Sequence, residues 1–137
     1  MRILIAEANA SVRDVLSAAC ALIGDPVEAI LFADGPCQTQ YMAEALDVDI
    51  VVMDVAPANM EGIRAIRGLR ASGFRGDIIS LSSAAYDDIA RDALEAGATW
   101  HLCKPFLIED LIGLISRSGR RGFAPWRRRG QKRRAAR

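Results

Sequence analysis

Five times along this chain a short apolar run is followed by a longer stretch of helical spacing. The pairs are Ile3 to Ala6 then Ser11 to Ile23, Val27 to Phe32 then Cys37 to Leu46, Ile50 to Met53 then Gly62 to Leu69, Ile78 to Leu81 then Ile89 to Ala96, and Trp100 to Leu102 then Phe106 to Ile115. Ile50-Val51-Val52-Met53 and Ile78-Ile79 are apolar without alternation, the pattern of strands covered on both faces. Strands of that kind alternating with helices predict the parallel α/β class. The punctuation agrees: Ser11 with Asp14 has the form of a capping box, Gly24-Asp25-Pro26 and Asp34-Gly35-Pro36 break the chain, and Gly73 and Gly97 follow helical stretches.

The 137 residues suit one domain, and 51% apolar content is enough for its core. The net charge of +1 conceals a division: residues 1 to 116 hold 8 Lys and Arg against all 17 Asp and Glu, a balance of −9, while residues 117 to 137 hold 10 basic residues and no acid. A uniformly basic nucleic-acid-binding domain is excluded, and only the tail can take that part. With Gly119, Gly122, Pro125 and Gly130 and few apolar residues, the tail is expected to be disordered alone. Phe123 and Trp126 stand between its basic clusters, a mixture suited to single-stranded nucleic acid, to an anionic surface or to the acidic body, unless the tail only solubilises. The longest apolar run, Ala18 to Ile23, is six residues, far short of the roughly 18 that span a bilayer. Ile3 to Ala6 is too short for a secretory signal, so no transmembrane segment and a cytoplasmic location are expected. Cys20, Cys37 and Cys103 have neither disulfide nor zinc spacing, and each is expected to be a small buried residue.

Open parallel sheets bind ligands outside the carboxyl ends of their strands. The residues there are Glu7 to Asn9, Asp54 to Ala56, Ser82 to Ala84, and Lys104. The first turn, Ala6-Glu7-Ala8-Asn9-Ala10, lacks the glycines a dinucleotide phosphate requires. What remains is two carboxylates (Glu7, Asp54), a hydroxyl (Ser82) and an ammonium (Lys104), the one lysine before the tail. An Asp beside a cation and a hydroxyl donor is suited to becoming an acyl phosphate, because the cation, with a divalent metal, neutralises the incoming phosphoryl oxygens.

Arg2-Ile-Leu-Ile-Ala-Glu7, Asp49-Ile-Val-Val-Met-Asp54 with Gly62 eight residues on, Ile78-Ile-Ser-Leu-Ser82, Ala93-Leu-Glu-Ala-Gly-Ala98 and Lys104-Pro105-Phe106 together resemble a response-regulator receiver domain. The likeness covers residues 1 to 117, leaving 118 to 137 as the basic tail. It implies a doubly wound, flavodoxin-like sheet of five parallel strands in the order 2-1-3-4-5, with five helices. It also implies a bacterial two-component or phosphorelay pathway in which Asp54 accepts a phosphoryl group from a histidine kinase or phosphotransfer protein. Ser82 and Lys104 then hold the product, Glu7, Asp54 and the Ala56 backbone carbonyl bind Mg²⁺, the bond before Pro105 is cis, and Ser82 and His101 form the switch. The tail is too short for a helix-turn-helix output domain, so the expectation is a stand-alone switch with self-catalysed chemistry rather than a turnover enzyme.

Two features depart from the family pattern. Ala8 stands where receivers place a second acid, which should weaken Mg²⁺ by about 10- to 100-fold or more. The longer arm of Glu7 and the amide oxygen of Asn9 are the candidates to compensate. In the loop Val55 to Gly62 the proline, Pro57, comes one place early. Ala56 and Ala84 occupy the positions that tune hydrolysis, and neither can orient water, so slow autodephosphorylation is expected. His101 takes the place of the family's rotating aromatic, against the alternative of a half-buried surface ring. Phe106 to Ile115 is apolar beyond one core stripe, which suggests that Ile108 and Ile112 stand outside for a target or a second copy through the last helix and strand. Arg64, Arg67 and Arg70 read as a solvated helix face. The principal rival is a degenerate receiver that binds proteins without phosphorylation. A haloacid-dehalogenase-type phosphohydrolase is disfavoured, since no D-x-D motif follows the first strand.

Overall fold

Strands form where the short apolar runs lie, and the helical-period stretches return the chain between them. The computed structural model describes residues 1–23, 27–55, 60–83 and 87–120. Its strands are β1 (Arg2–Ala6), β2 (Ala29–Ala33), β3 (Ile50–Asp54), β4 (Asp77–Ser83) and β5 (Trp100–Lys104). They alternate with α1 (Ala10–Ala21), α2 (Pro36–Ala45), α3 (Glu61–Ala71), α4 (Asp87–Ala96) and α5 (Ile108–Arg120). All strand pairs are parallel and their order is β2-β1-β3-β4-β5, the doubly wound sheet that the sequence resemblance implies.

Alternate side chains of the central strands feed two cores. Leu4, Val51, Met53 and Ile78 pack on one face with Ala43 of α2, Ile63, Ile66 and Leu69 of α3, and Ala93 of α4. Ile3, Ile5, Ile50, Val52, Ile79 and Leu81 pack on the other with Leu16 and Cys20 of α1 and Leu111 and Ile115 of α5. Fully burying each such Leu or Ile is worth about 1.5–3 kcal/mol, so the two-sided apolar pattern dictates the layering.

Helix ends follow local chemistry. Pro36 sits in the first turn of α2, where its missing N–H costs nothing, and Gly73 (φ 94°) ends α3 in the left-handed region. At α1 the capping-box expectation is corrected. The cap is Asn9, whose side chain accepts from the Val12 N–H at 3.1 Å, because the helix begins at Ala10 and Ser11 already lies inside it. α5 starts later and ends later than its apolar pattern suggests. Residues 105–107 form the approach to it, and Ser118 is buried with its hydroxyl donating to the Leu114 carbonyl, so the helix continues through Arg120 into the segment assigned to the tail. Gly24-Asp25-Pro26 and residues 121–137 lie outside the described residues.

Three further expectations are corrected. Cys20 is buried, but Cys37, in the first turn of α2, and Cys103, on the edge strand β5, are exposed. Ile108 and Ile112 pack half-buried against the second core, and Leu107, just before α5, is exposed. Arg64 and Arg67 are exposed, whereas Arg70 turns inward at the amino ends of the strands. There it donates to the carbonyls of Gly97 (2.9 Å), Phe74 (2.9 Å) and Gly76 (2.8 Å) and to Thr99 Oγ1 (3.3 Å). Burial lowers its pKa and nearby Asp77 opposes that shift. Gly97 (φ 125°) permits the contact, since a Cβ there would lie 2.5 Å from Arg70 Cγ.

Candidate functional site

Asp54 ends β3 and Lys104 ends β5, with β4 between them in register: Asp54 pairs with Leu81, and Ser83 with Lys104. The lysine reaches back along the rim and its Nζ donates to Asp54 Oδ1 at 2.7 Å, with both side chains about one-third exposed (33% and 32%). The Val55 N–H donates to the Leu81 carbonyl at 2.8 Å and holds the chain just beyond the aspartate. Gly62 lets the first turn of α3 close on that segment, because a Cβ there would stand 2.7 Å from Val55 Cγ1. The Lys104-Pro105 bond is cis.

Glu7 follows β1 one step beyond the paired Ala6 and Met53, which sets it beside Asp54 on the neighbouring strand. Its Oε1 accepts from the Asn9 N–H at 3.1 Å, and its Oε2 is buried without a hydrogen-bond partner. A buried carboxylate oxygen left open is costly and is satisfied by a cation. Asn9 directs its amide oxygen to the α1 cap, so of the two candidates to compensate for Ala8, Glu7 has the open oxygen. Among the described residues there is no group of three or more His, Cys, Asp or Glu arranged to hold a metal. Two adjoining carboxylates nevertheless fit Mg²⁺, which keeps several waters and is commonly held by one or two protein carboxylates. The Ala56 carbonyl, Pro57 and Ala84 lie outside the described residues.

Ser82 is fully buried, and its hydroxyl lies 2.8 Å from His101 Nε2 rather than on Asp54 or Lys104. The other ring nitrogen, Nδ1, is 2.6 Å from Ser80 Oγ. His101 is therefore turned inward and half-buried, and burial lowers its pKa below the ordinary 6.5. The structure thus makes two pairings among the predicted residues, Asp54 with Lys104 and Ser82 with His101. Ser80 is the residue that sequence reasoning missed. Its signal was a hydroxyl two positions before Ser82, on the same face of a strand otherwise apolar between Ile78 and Leu81.

The family model of the response regulator receiver domain matches residues 3–116. The chain is 32% identical over 117 residues to the regulatory protein AtoC of Escherichia coli (strain K12), covering 85% of this chain and 25% of AtoC. The chain spans between a quarter and a half of the length of the curated relatives it matches. In fold it is similar to the receiver domain of the Francisella response regulator 1452, with a TM-score of 0.76 at 19% identity over 88% of this chain and 97% of that one. It is also similar to the receiver domain of the sensor histidine kinase PA1611 from Pseudomonas aeruginosa PAO1, with a TM-score of 0.73 at 28% identity over 85% of this chain and 95% of that one. That structure has a magnesium ion coordinated in its active site cleft. From its strand order, the residues gathered at the strand ends and the match over residues 3–116, the chain belongs to the response regulator receiver domain family of two-component signalling.

Proposed function

We propose that this receiver is a phosphorylation switch that takes its phosphoryl group on Asp54 from the phosphohistidine of a histidine kinase or phosphotransfer protein in the cytoplasm. An Asp54 carboxylate oxygen attacks phosphorus, the phosphorus–nitrogen bond breaks, and the imidazole departs with the electron pair. The observation that carries this reading is the Lys104 ammonium 2.7 Å from Asp54 Oδ1, a fixed cation placed where charge accumulates. Glu7, Asp54 and the Ala56 carbonyl are the groups that would hold Mg²⁺, and the ion supplies further neutralisation of phosphoryl charge when bound. Ser82 serves the product by donating its hydroxyl to a phosphoryl oxygen, which requires it to leave His101.

Autodephosphorylation is slow in this reading, because the alanines at 56 and 84 offer no group to hold an attacking water. The chain is a switch and not a turnover enzyme. Its signal passes to a target or a second copy through the last helix and strand, between which Leu107 is 67% exposed. Ala8 favours a second reading, a receiver that binds partners without phosphorylation.

Mass measurement after incubation with phosphoramidate and Mg²⁺ separates the two. The main reading expects one phosphoryl group on the wild type and none on Asp54→Asn. Uptake only after Ala8→Asp supports the second reading, and uptake on Asp54→Asn equal to the wild type overturns the assignment of Asp54.

A further inference from the structure

His101 is hydrogen-bonded at both ring nitrogens by serines of the neighbouring strand, and a third contact, at Ser80, distinguishes the two tautomers. Ser80 Oγ lies 2.6 Å from Nδ1 and 3.3 Å from the Trp100 carbonyl oxygen. A carbonyl can only accept, so when the single Ser80 hydroxyl proton serves the Trp100 contact, Ser80 accepts from His101. Satisfying both contacts assigns the imidazole proton to Nδ1 and leaves Nε2 as an acceptor. Ser82, 2.8 Å away, fills that acceptor with its own hydroxyl proton. In this arrangement the proton that Ser82 would give to a phosphoryl oxygen is engaged by His101.

We propose that Ser80 and His101 form a proton-linked latch on Ser82, in which neutral His101 holds the Ser82 hydroxyl proton and protonated His101 releases it to a phosphoryl oxygen on Asp54. This rests on the reading of Asp54 as the phosphoacceptor. When Nε2 takes a proton from solvent it becomes a donor, and Ser82 turns from donor to acceptor in the same contact. Its O–H is then free to point elsewhere, while Ser80 continues to accept from Nδ1–H. Conversely, a phosphoryl oxygen that captures the Ser82 proton leaves Nε2 short of a donor, and taking up a proton repairs that. Phosphorylation of Asp54 and protonation of His101 therefore favour one another, and by linkage the coupling is the same in both directions.

The surroundings leave His101 as the group that titrates this contact. From β4 it meets the uncharged hydroxyls of Ser80 and Ser82, and on its own strand Cys103 shares its side and is exposed. From α4, which packs over β4 and β5, the charged residues with described side chains are Asp88, Arg91, Asp92 and Glu95. Asp88 and Arg91 pair with each other at 3.1 Å on the surface, and at the rim Lys104 pairs with Asp54. Among the described residues none forms an ion pair with His101, and burial disfavours the charged ring. Ser80 is a positioning residue in this scheme. It acts through the tautomer of His101 and touches no reacting atom.

The test uses the full chain, with beryllofluoride and Mg²⁺ as the probe for the phosphorylated state. Long-range ¹⁵N–¹H NMR of the free protein should show the Nδ1–H tautomer, and Ser80→Ala should shift the ring towards Nε2–H. Beryllofluoride should raise the His101 titration by about one unit, which is equivalent to about tenfold tighter probe binding on the acid side of that titration. His101→Phe should lose this acid gain and report the pH response of the probe alone; His101→Gln, which hydrogen-bonds without titrating, serves where Phe disturbs packing. An Nε2–H tautomer in the free protein, or the same pH response in wild type and His101→Phe, overturns the latch. A wild-type tautomer in Ser80→Ala overturns the role given to Ser80. Failure of beryllofluoride to bind wild type and variants at every pH instead overturns the reading of Asp54, and the coupling with it.

Discussion

The Lys104 ammonium meets the Asp54 carboxylate at 2.7 Å across the width of β4, although 50 residues separate them in the chain. A pair one-third exposed is worth only about 0–1 kcal/mol to folding, and in the proposed function its placement serves chemistry. Lys104→Ala should therefore slow phosphoryl uptake from phosphoramidate by about 100-fold while leaving the urea midpoint nearly unchanged. A large loss of stability with normal uptake would reverse that assignment.

Glu7 Oε2 is a buried acceptor with no hydrogen-bond partner, and Ala8 beside it is exposed and carries no ligand. Restoring an acid by Ala8→Asp should tighten Mg²⁺ by about 10- to 100-fold, and Glu7→Gln should weaken it, both read by calorimetric titration. Equal affinity in all three proteins would mean that the ion is held elsewhere.

Arg70 serves three backbone carbonyls and the Thr99 hydroxyl with one planar group. Arg70→Ala removes the arginine donor from the three carbonyls, while Thr99 Oγ1 keeps the Ile78 N–H, and should cost about 2–4 kcal/mol in urea unfolding. Arg70→Lys should recover little, since an ammonium cannot reproduce the fork of donors. Arg64→Ala and Arg67→Ala, both on the exposed face, should stay within about 0.5 kcal/mol of the wild type.

Burial lowers the His101 pKa from 6.5, so around and below that pH the unfolded chain binds more protons at this residue than the folded one. Its contribution to stability is present above pH 6.5 and is lost as the pH falls through that value and below. The stability difference between wild type and His101→Phe should accordingly shift in favour of the wild type as pH rises through this window. Denaturant titrations of both proteins at several pH values measure it, and a flat difference would contradict a neutral buried ring.

The three cysteines should separate by reactivity. Burial pushes the Cys20 thiol up to about 11, whereas Cys37 and Cys103 are exposed. Two thiols per chain should react with a disulfide reagent in the native protein and a third only on unfolding.

The sheet was legible in the sequence because each apolar run carries its own periodicity and each strand end leaves its polar residue at the same rim. Asp54, Lys104 and Glu7 could be found that way. Ser80 could not, because its function depends on pairing with His101 across the β4–β5 register, and register is a relation between strands rather than a property of either. Arg70 was misread for a similar reason: its period along α3 matches that of exposed Arg64 and Arg67, and its acceptors come from the 74–76 segment and the turn at Gly97, which the period does not show. The cap at Asn9 was missed because Ser11 and Asp14 offer an equally good local pattern two residues later.

One set of polar ties that pins the elements together lies at the amino ends of the strands. Arg70 binds Phe74, Gly76, Gly97 and Thr99, Thr99 donates to Asp77, and Asp49 accepts from the Arg2 N–H. Asp54 and Lys104 occupy the opposite margin. In the proposed function, anchorage and reactivity therefore fall at separate poles of one slab, and a side chain at the carboxyl-end rim can change without loosening the fastening that keeps the slab folded. A lineage built on this plan can retune or abandon its chemistry one side chain at a time and still inherit an intact scaffold.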